Sequence, residues 1–236
     1  MGRSAPLGPL SPAPQHGPAR AVVFDCDGVL VDSEVLAAPI LAETLTQLGL
    51  PTTAQDVERD FKGRSWEHGL EVIRARRNGA EPWPELRERY RATLFAAFDA
   101  QLQAVPGVVE ALDALDAAGV PYCVASSGDR ERIRRGLRAA GLLDRFPDAT
   151  IFSADDVAHG KPAPDLFLHA AHAMDFDPAA TVVVEDSEAG VQAGVAAGMR
   201  VLGYARDPAE AAQLRTAGAE PFGDMRQAPA LLEEKA

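Results

Sequence analysis

Asp25 and Asp27, which follow an apolar run, are the residues best placed in this chain to carry out chemistry. Residues 21–24 are apolar and partly β-branched, which is typical of a strand buried on both faces. Gly28 then allows the backbone to turn sharply. A carboxylate at such a strand end can attack an electrophile or bind a hard cation, and a second carboxylate can exchange a proton with a leaving group. The spacing makes Asp25 a candidate nucleophile and Asp27 a candidate acid/base.

The Asp-x-Asp-Gly pattern alone leaves a structural role open, because Asp and Gly are also ordinary turn residues. A calcium loop of the helix-loop-helix type is excluded, since Val29 and Leu30 stand where oxygen ligands would be needed and the glycine comes too early. The choice between a turn and a catalytic site therefore depends on polar partners further along the chain.

Three further apolar runs end in polar residues that suit such a site. Ser126 offers a hydroxyl beside backbone N–H groups that can hold the oxygens of an anion. Lys161 lies between Gly and Pro and is a fixed positive charge for a phosphate or a carboxylate, and the acid pair Glu185-Asp186 suits a divalent cation. A helix cap or a solvated loop lysine would explain each alone, but all of these explanations would have to hold together. The sequence favours a catalytic site at the carboxyl edge of a sheet.

The order of the predicted elements indicates an α/β fold. From residue 106 onward, strand-like and helix-like segments alternate, which predicts a doubly wound, Rossmann-like parallel sheet. Residues 33–104 instead carry apolar residues at helical spacing and contain no convincing strand. We therefore predict a core domain of residues 20–32 and 105–236, with a helical domain of residues 33–104 inserted over the catalytic edge.

In combination, these motifs resemble those of the haloacid dehalogenase (HAD) superfamily, in its phosphoglycolate-phosphatase-like and β-phosphoglucomutase-like branch. The resemblance implies a HAD core with an inserted α-helical cap domain. It implies that Asp25 forms an aspartyl-phosphate and that Asp27 is the general acid and then the general base. It also implies that Ser126 hydrogen-bonds the transferring phosphoryl group and that Lys161 neutralises charge on that group and on Asp25.

The resemblance also implies a Mg²⁺ cofactor. Its ligands would be the Asp25 carboxylate, the Asp27 backbone carbonyl and Asp186, with Glu185 either a further ligand or a residue behind the ligands. A phosphate ester repels a carboxylate nucleophile, so Mg²⁺ and Lys161 have to cancel negative charge before the two groups can meet. Because Asp27 spends part of the cycle protonated, we expect its pKa to lie above that of an ordinary aspartate.

The segment 61–66 within the insertion is similar to the substrate-specificity loop of the family. Lys62 and Arg64 are candidate substrate-binding residues, because either can pair with a phosphate or an acidic group on the substrate. An exposed basic loop capped by Ser65 is the structural alternative. The resemblance implies that the cap is mobile, closes on the substrate and excludes water.

Departures from related patterns narrow the function. Dehalogenases of the superfamily lack the second acid and the need for metal, whereas Asp27 and Asp186 are present here. Hexose-phosphate mutases carry a cap histidine and a loop arginine where this chain has Ala37 and Trp66. We predict a Mg-dependent phosphatase that hydrolyses a small phosphorylated metabolite, a sugar or sugar-acid phosphate. A hexose-phosphate mutase of the β-phosphoglucomutase type and a non-catalytic phosphate-binding regulatory protein remain as alternatives.

Composition and charge limit the partners. The net charge of −12 argues against binding to nucleic acid, and no apolar run predicts a signal peptide or a membrane span, so we expect a cytoplasmic protein. Cys26 and Cys123 are interpreted as small buried residues in a reducing compartment. The arginine-rich stretch 130–138 is interpreted mainly as a solvated helix face, with one arginine near the phosphate. Residues 1–19 are predicted to be a disordered Pro-rich tail. The sequence leaves the oligomeric state open.

Overall fold

A six-stranded parallel sheet organises residues 20–233, which are the residues that the computed structural model describes. The strand order is β3-β2-β1-β4-β5-β6. The tail predicted for residues 1–19 lies outside the described residues. The strands are β1 (Ala21–Phe24), β2 (Tyr122–Ser126), β3 (Ile151–Ser153), β4 (Thr181–Glu185), β5 (Arg200–Tyr204) and β6 (Glu220–Phe222).

Ten α-helices lie within the described residues, and four of them come between β1 and the helix that precedes β2. We call these four, α1–α4, the helical insertion. None of the helices in residues 20–233 has the length and apolar character needed to cross a membrane. The helices are α1 (Glu34–Gln47), α2 (Ala54–Phe61), α3 (Trp66–Arg76), α4 (Leu86–Gln101), α5 (Val108–Ala118), α6 (Arg130–Ala139), α7 (Asp165–Ala173), α8 (Glu188–Ala196), α9 (Pro208–Ala217) and α10 (Ala228–Glu233).

The central strand β1 sets the position of the first sequence motif. All four of its residues are buried, and it pairs with β2 on one side and β4 on the other. The register places Phe24 beside Val124 of β2 and Val184 of β4, so that Asp25 follows at the common carboxyl edge. Polar residues that end neighbouring parallel strands therefore meet at one edge, as the sequence predicts.

Side chains that alternate along β1 form two apolar layers, because successive residues of a strand point to opposite faces. Val22 and Phe24 pack in a cluster with α5, α6, α10 and the insertion. Val23 packs in a second cluster with α7, α8 and α9. Helices thus cover both faces of the parallel sheet, and the predicted doubly wound α/β fold is confirmed.

The helical insertion shares its apolar core with one face of the sheet. Leu45, Ile73 and Leu94 are buried in the same cluster as the strand residues. Ser65 starts α3 by accepting a hydrogen bond from the His68 backbone N–H at 3.3 Å. Because the core is continuous, packing does not mark a boundary, and the division into core and cap domains remains a prediction.

Leu45→Ala should destabilise the protein by about 2–5 kcal/mol, because Leu45 is fully buried in the apolar cluster that the insertion shares with the sheet, and its truncation leaves a cavity. The control is Val35→Ala on the same helix, since Val35 is exposed and should change the free energy of unfolding by less than about 0.5 kcal/mol. Urea unfolding followed by circular dichroism measures both. Equal effects of the two substitutions would contradict the placement of α1.

Candidate active site

The Lys161 side chain connects the polar residues at the carboxyl edge of the sheet. Its ammonium Nζ lies 2.5 Å from Asp25 Oδ1 and 2.7 Å from Glu185 Oε1, and it donates a third hydrogen bond to the Ala125 carbonyl at 3.1 Å. Burial disfavours the charged ammonium, but the two carboxylates outweigh burial and raise the pKa of Lys161 above its ordinary value. The structure therefore brings together Asp25, Lys161 and Glu185, and it keeps the lysine charged.

Glu185 holds this arrangement in place. While Oε1 accepts from Lys161, Oε2 accepts three hydrogen bonds, from the backbone N–H groups of Asp186 and Ser187 and from the Ser187 hydroxyl, each at 2.9 Å. Both carboxylate oxygens are thus engaged within the protein. Of the two roles left open for Glu185, this geometry fits the residue behind the metal ligands. The first turn of α8 passes so close that a Cβ at Gly190 would lie 1.7 Å from Oε1.

Asp27 is paired with Arg132, a residue of α6. Arg132 Nε donates to Asp27 Oδ2 and Nη2 donates to Oδ1, both at 3.1 Å, and the Ser33 hydroxyl also donates to Oδ1. Burial raises the pKa of Asp27, but Arg132 and Ser33 together outweigh it, so that the pKa lies below its ordinary value. The expectation of a raised pKa for Asp27 is therefore wrong. That expectation took into account only the proton that Asp27 must carry during catalysis, and not the charge of the neighbouring Arg132 guanidinium.

Arg132 itself was not singled out by the sequence analysis, which grouped it with the arginines of residues 130–138. The useful signal is its spacing on α6, whose buried residues are Ile133, Gly136 and Leu137. Arg132 lies four residues before Gly136 and so shares the inner face of the helix. An arginine on that face, with a side chain only 21% exposed, indicates a partner inside the protein rather than solvent.

Asp186 is a buried carboxylate whose charge is incompletely compensated. Its Oδ2 atom lies 2.9 Å from Lys62 Nζ, but the ammonium is not aligned as a hydrogen-bond donor, and Oδ2 has no hydrogen bond within residues 20–233. Burial and the neighbouring Glu185 raise the pKa of Asp186 to about 6, although Lys62 acts in the opposite direction. The Gly28 backbone packs against the same oxygen, since a Cβ there would lie 2.3 Å from Oδ2.

These carboxylates fit a divalent cation. The pKa of Asp25 is raised by burial and by the charges of Glu185 and Asp186, in spite of Lys161. A cation would relieve this repulsion between buried acids. No three His, Cys, Asp or Glu side chains converge as a metal cluster in the described part of the chain. The predicted ligand set uses only two carboxylates, Asp25 and Asp186, and completes the site with a backbone carbonyl of Asp27.

The loop after α2 reaches into the catalytic edge from the insertion. Lys62 Nζ lies 3.0 Å from Glu34 Oε2 as well as 2.9 Å from Asp186, and its side chain is only 20% exposed. The Ser127 hydroxyl donates to the Gly63 carbonyl at 3.0 Å, which fixes the loop against β2. For Lys62, the alternative of an exposed basic loop is therefore wrong. Its ammonium faces Asp186, the proposed metal ligand.

A cavity of about 170 Å³ lies between this loop, α1 and α4 of the insertion, and the sheet edge. Asp25, Asp27, Ser126 and Arg64 all line it. Ser126 Oγ accepts from the Gly128 N–H at 3.1 Å, which leaves its hydrogen for a ligand. Within the described residues no ion pair engages Arg64, so its charge is available in the cavity wall.

Comparison with known proteins supports the same class of enzyme. The family model for haloacid dehalogenase-like hydrolases matches residues 19–198. The chain is 34% identical to the 6-phosphogluconate phosphatase of Escherichia coli (strain K12), over 80% of this chain and 84% of that protein. It is 30% identical to a phosphorylated carbohydrates phosphatase of Thermotoga maritima, over 85% of this chain and 92% of that protein.

A solved structure extends the comparison to three dimensions. It is a HAD-family hydrolase from Deinococcus radiodurans R1 with bound phosphate and sodium. The two sequences are 32% identical, the TM-score is 0.70, and the alignment covers 92% of this chain and 97% of that chain. The chain belongs to the haloacid dehalogenase-like hydrolase family, in its phosphoglycolate-phosphatase-like and β-phosphoglucomutase-like branch. Within that family it is a phosphoric monoester hydrolase, as the sequence predicts.

Gly190→Ala should lower the free energy of unfolding by about 1–3 kcal/mol, because the added methyl group overlaps the Glu185 carboxylate, which its hydrogen bonds hold in place. The control is Gly136→Ala in α6, where the nearest atom to an added Cβ is 3.6 Å away. That substitution should leave stability unchanged or raise it by up to about 1 kcal/mol, since alanine favours helix. Urea unfolding distinguishes the two, and a tolerated Gly190→Ala would contradict the described packing of Glu185.

Proposed function

We propose that this enzyme is a Mg²⁺-dependent phosphatase that hydrolyses a small phosphorylated metabolite, a sugar or sugar-acid phosphate, through an aspartyl-phosphate on Asp25. The observation that carries the proposal is the contact between Asp25, which lines the cavity, and the buried Lys161 ammonium, with Asp27 two residues further along the same cavity wall. The similarity to a 6-phosphogluconate phosphatase and to a phosphorylated carbohydrates phosphatase supports the class of substrate.

Asp25 is the nucleophile of the first step. Lys161 holds its Oδ1 atom, and the other carboxylate oxygen attacks phosphorus. The new phosphorus–oxygen bond forms as the bond to the leaving alcohol breaks, and Asp27 gives its proton to the leaving oxygen. In the second step Asp27 takes a proton from water, which attacks phosphorus and releases phosphate and the Asp25 carboxylate. The Ser126 hydroxyl donates to a phosphoryl oxygen during both steps.

Mg²⁺ would be held by the Asp25 and Asp186 carboxylates and the Asp27 backbone carbonyl. When bound, it neutralises negative charge on the phosphoryl oxygens and on the nucleophile. The grouping of the buried Asp25 and Asp186 carboxylates supports this assignment, because burial and mutual repulsion raise the pKa of each in spite of their lysine partners, and a cation would relieve that repulsion.

Arg132 and Ser33 hold the pKa of Asp27 below its ordinary value, so in this proposal the substrate must raise that pKa before Asp27 can act as a general acid. A phosphate group next to Asp27 brings negative charge close to the carboxylate, which disfavours the ionised form and raises its pKa. In this proposal Asp27 acts as the general acid only when the substrate phosphate lies beside it.

The helical insertion, residues 33–104, acts in this proposal as the lid that closes on the substrate and excludes water. Contacts of the loop with the core support this role, namely the ion pair of Lys62 with Asp186 and the hydrogen bond from Ser127 to Gly63. Lys62 and Arg64 are then candidate substrate-binding residues on the lid. Trp66, at the mutase arginine position, stacks on Tyr90 with ring centroids 5.8 Å apart, which favours a hydrolase over a mutase.

We place the enzyme in the cytoplasm, without a nucleic-acid or membrane partner, as part of the same proposal. The two cysteines, Cys26 and Cys123, are buried free thiols, which supports a reducing compartment. The net charge of −12 supports the absence of a nucleic-acid partner, since such binding depends on neutralising phosphates.

Asp25→Asn should abolish phosphate release from a panel of phosphorylated metabolites with Mg²⁺, because an amide cannot form the acyl-phosphate. Asp27→Asn should lower kcat by about 10²–10⁴-fold, the usual contribution of general acid–base catalysis. The control is Asp175→Asn, a surface position with φ of 56°, a conformation that asparagine tolerates, where activity should be unchanged. Phosphate release that persists in Asp25→Asn would contradict the proposed nucleophile.

Mg²⁺ should stabilise the protein against thermal unfolding, by about 2.7 kcal/mol at a concentration 100 times its Kd, because it binds the folded state alone. Asp186→Asn should lose most of this stabilisation, since it removes one of the two carboxylate ligands, whereas Asp175→Asn should keep it. Differential scanning calorimetry with and without Mg²⁺ measures the effect. An undiminished shift in Asp186→Asn would show that the cation binds elsewhere.

A further inference from the structure

The cavity contains a group of hydrogen-bond donors that the proposed reaction does not use. Arg132 and Tyr90 both line the cavity, and Arg132 lies directly beside Asp27, the proposed proton donor to the leaving group. Its guanidinium carries five N–H donors. Two of them bond to Asp27, and one on Nη1 points to the Tyr90 hydroxyl oxygen at 3.4 Å. Two N–H groups, one on Nη1 and one on Nη2, are left without an acceptor in residues 20–233.

Tyr90 adds a third free donor. Tyr90 is buried, with only 5% of its surface exposed. Its ring stacks on Trp66 at an interplanar angle of 9°, which fixes the direction of the hydroxyl. The hydroxyl oxygen accepts from Arg132, and within the described residues no group accepts the hydroxyl hydrogen. A buried donor without an acceptor costs free energy, and a ligand oxygen would remove that cost.

The surroundings of these donors favour an anion over a neutral group. The Phe98 ring lies 5.9 Å from the Arg132 guanidinium carbon, and Leu94 forms part of the cavity wall, so hydrogen bonds made there are only weakly screened by water. The neighbouring cations Arg87 and Arg91 already pair with Asp129. Arg132 is the cavity arginine that is hydrogen-bonded to Asp27, and two of its N–H groups remain without an acceptor in residues 20–233.

We propose that Arg132 and Tyr90 form a carboxylate subsite on the leaving-group side of the scissile phosphate, so that the preferred substrate is the phosphate monoester of a hydroxy acid such as an aldonic acid. This inference rests on the proposed phosphatase function and specifies its substrate class. Two N–H groups of a planar guanidinium match the two oxygens of a carboxylate, and the Tyr90 hydroxyl supplies one further hydrogen bond. An alcohol at the same position would leave donors unpaired.

The test compares 6-phosphogluconate with sorbitol 6-phosphate, which differ only by a carboxylate or a hydroxymethyl group at one end. Wild-type kcat/KM should be about 10–100-fold higher for 6-phosphogluconate, the range expected for charged hydrogen bonds. Arg132→Met should lower kcat/KM for both substrates, because it removes the partner of Asp27. It should also reduce the ratio of the two kcat/KM values to about 1, whereas a displaced Asp27 alone would affect both substrates equally and leave the ratio unchanged. Tyr90→Phe keeps the ring and should lower the ratio by about 5-fold.

The matched control is Arg134→Met on the same helix. Arg134 lies outside the cavity and pairs with Asp148, so the ratio and both rates should stay at the wild-type values. Fructose 1,6-bisphosphate is included as a substrate whose second anion is a phosphate. A clear preference for the bisphosphate over 6-phosphogluconate would overturn the carboxylate assignment.

Equal wild-type kcat/KM for 6-phosphogluconate and sorbitol 6-phosphate, or a ratio unchanged in Arg132→Met and Tyr90→Phe, would also overturn the subsite while leaving the phosphatase function intact. Isothermal titration calorimetry of the two compounds with the Asp25→Asn protein and Mg²⁺ measures the same preference as a ratio of dissociation constants, without turnover. A protein that releases phosphate from no ester would contradict the proposed function, and the ratio of the two dissociation constants would still decide the subsite.

Discussion

The buried ammonium of Lys161 is the interaction on which the catalytic edge depends. It contacts Asp25 after β1, the Ala125 carbonyl in β2 and Glu185 at the end of β4, and it enters from the segment that follows β3. One side chain thus ties together the carboxyl ends of neighbouring strands. A buried charge of this kind is tolerated only with its partners, because loss of one partner typically costs about 3–5 kcal/mol. The fold therefore holds Asp25, the proposed nucleophile, in hydrogen-bond contact with the Lys161 ammonium.

Around this centre, the insertion supplies polar contacts at the cavity. Lys62 pairs with Asp186 and Glu34, and Tyr90 of α4 meets Arg132 of α6. These groups come from different parts of the chain and meet over the cavity. In the proposed function the sheet edge supplies the residues for phosphoryl transfer, and the residues where insertion and core meet supply the contacts to the leaving group.

The fold and the positions of the motifs could be predicted from sequence because both depend on local patterns. An apolar run followed by Asp25, Ser126 or Glu185 defines a strand end, and parallel strands bring such ends together. The pKa of Asp27 could not be predicted, because its controlling partner, Arg132, is 105 residues away in sequence. The partners of Lys62 and the unused donor of Tyr90 are likewise set by packing between distant helices, and local spacing carries no record of them.

The central claim is that Asp25 is the residue that accepts the phosphoryl group. Beryllium trifluoride mimics a phosphoryl group on a carboxylate, and ¹⁹F NMR of the protein with Mg²⁺, beryllium and fluoride detects the adduct without a known substrate. The account predicts bound fluoride resonances for the wild type that are absent in Asp25→Asn, while Asp175→Asn keeps them. Bound resonances that persist in Asp25→Asn would contradict the account, as would a folded, Mg²⁺-loaded wild-type protein that forms no adduct.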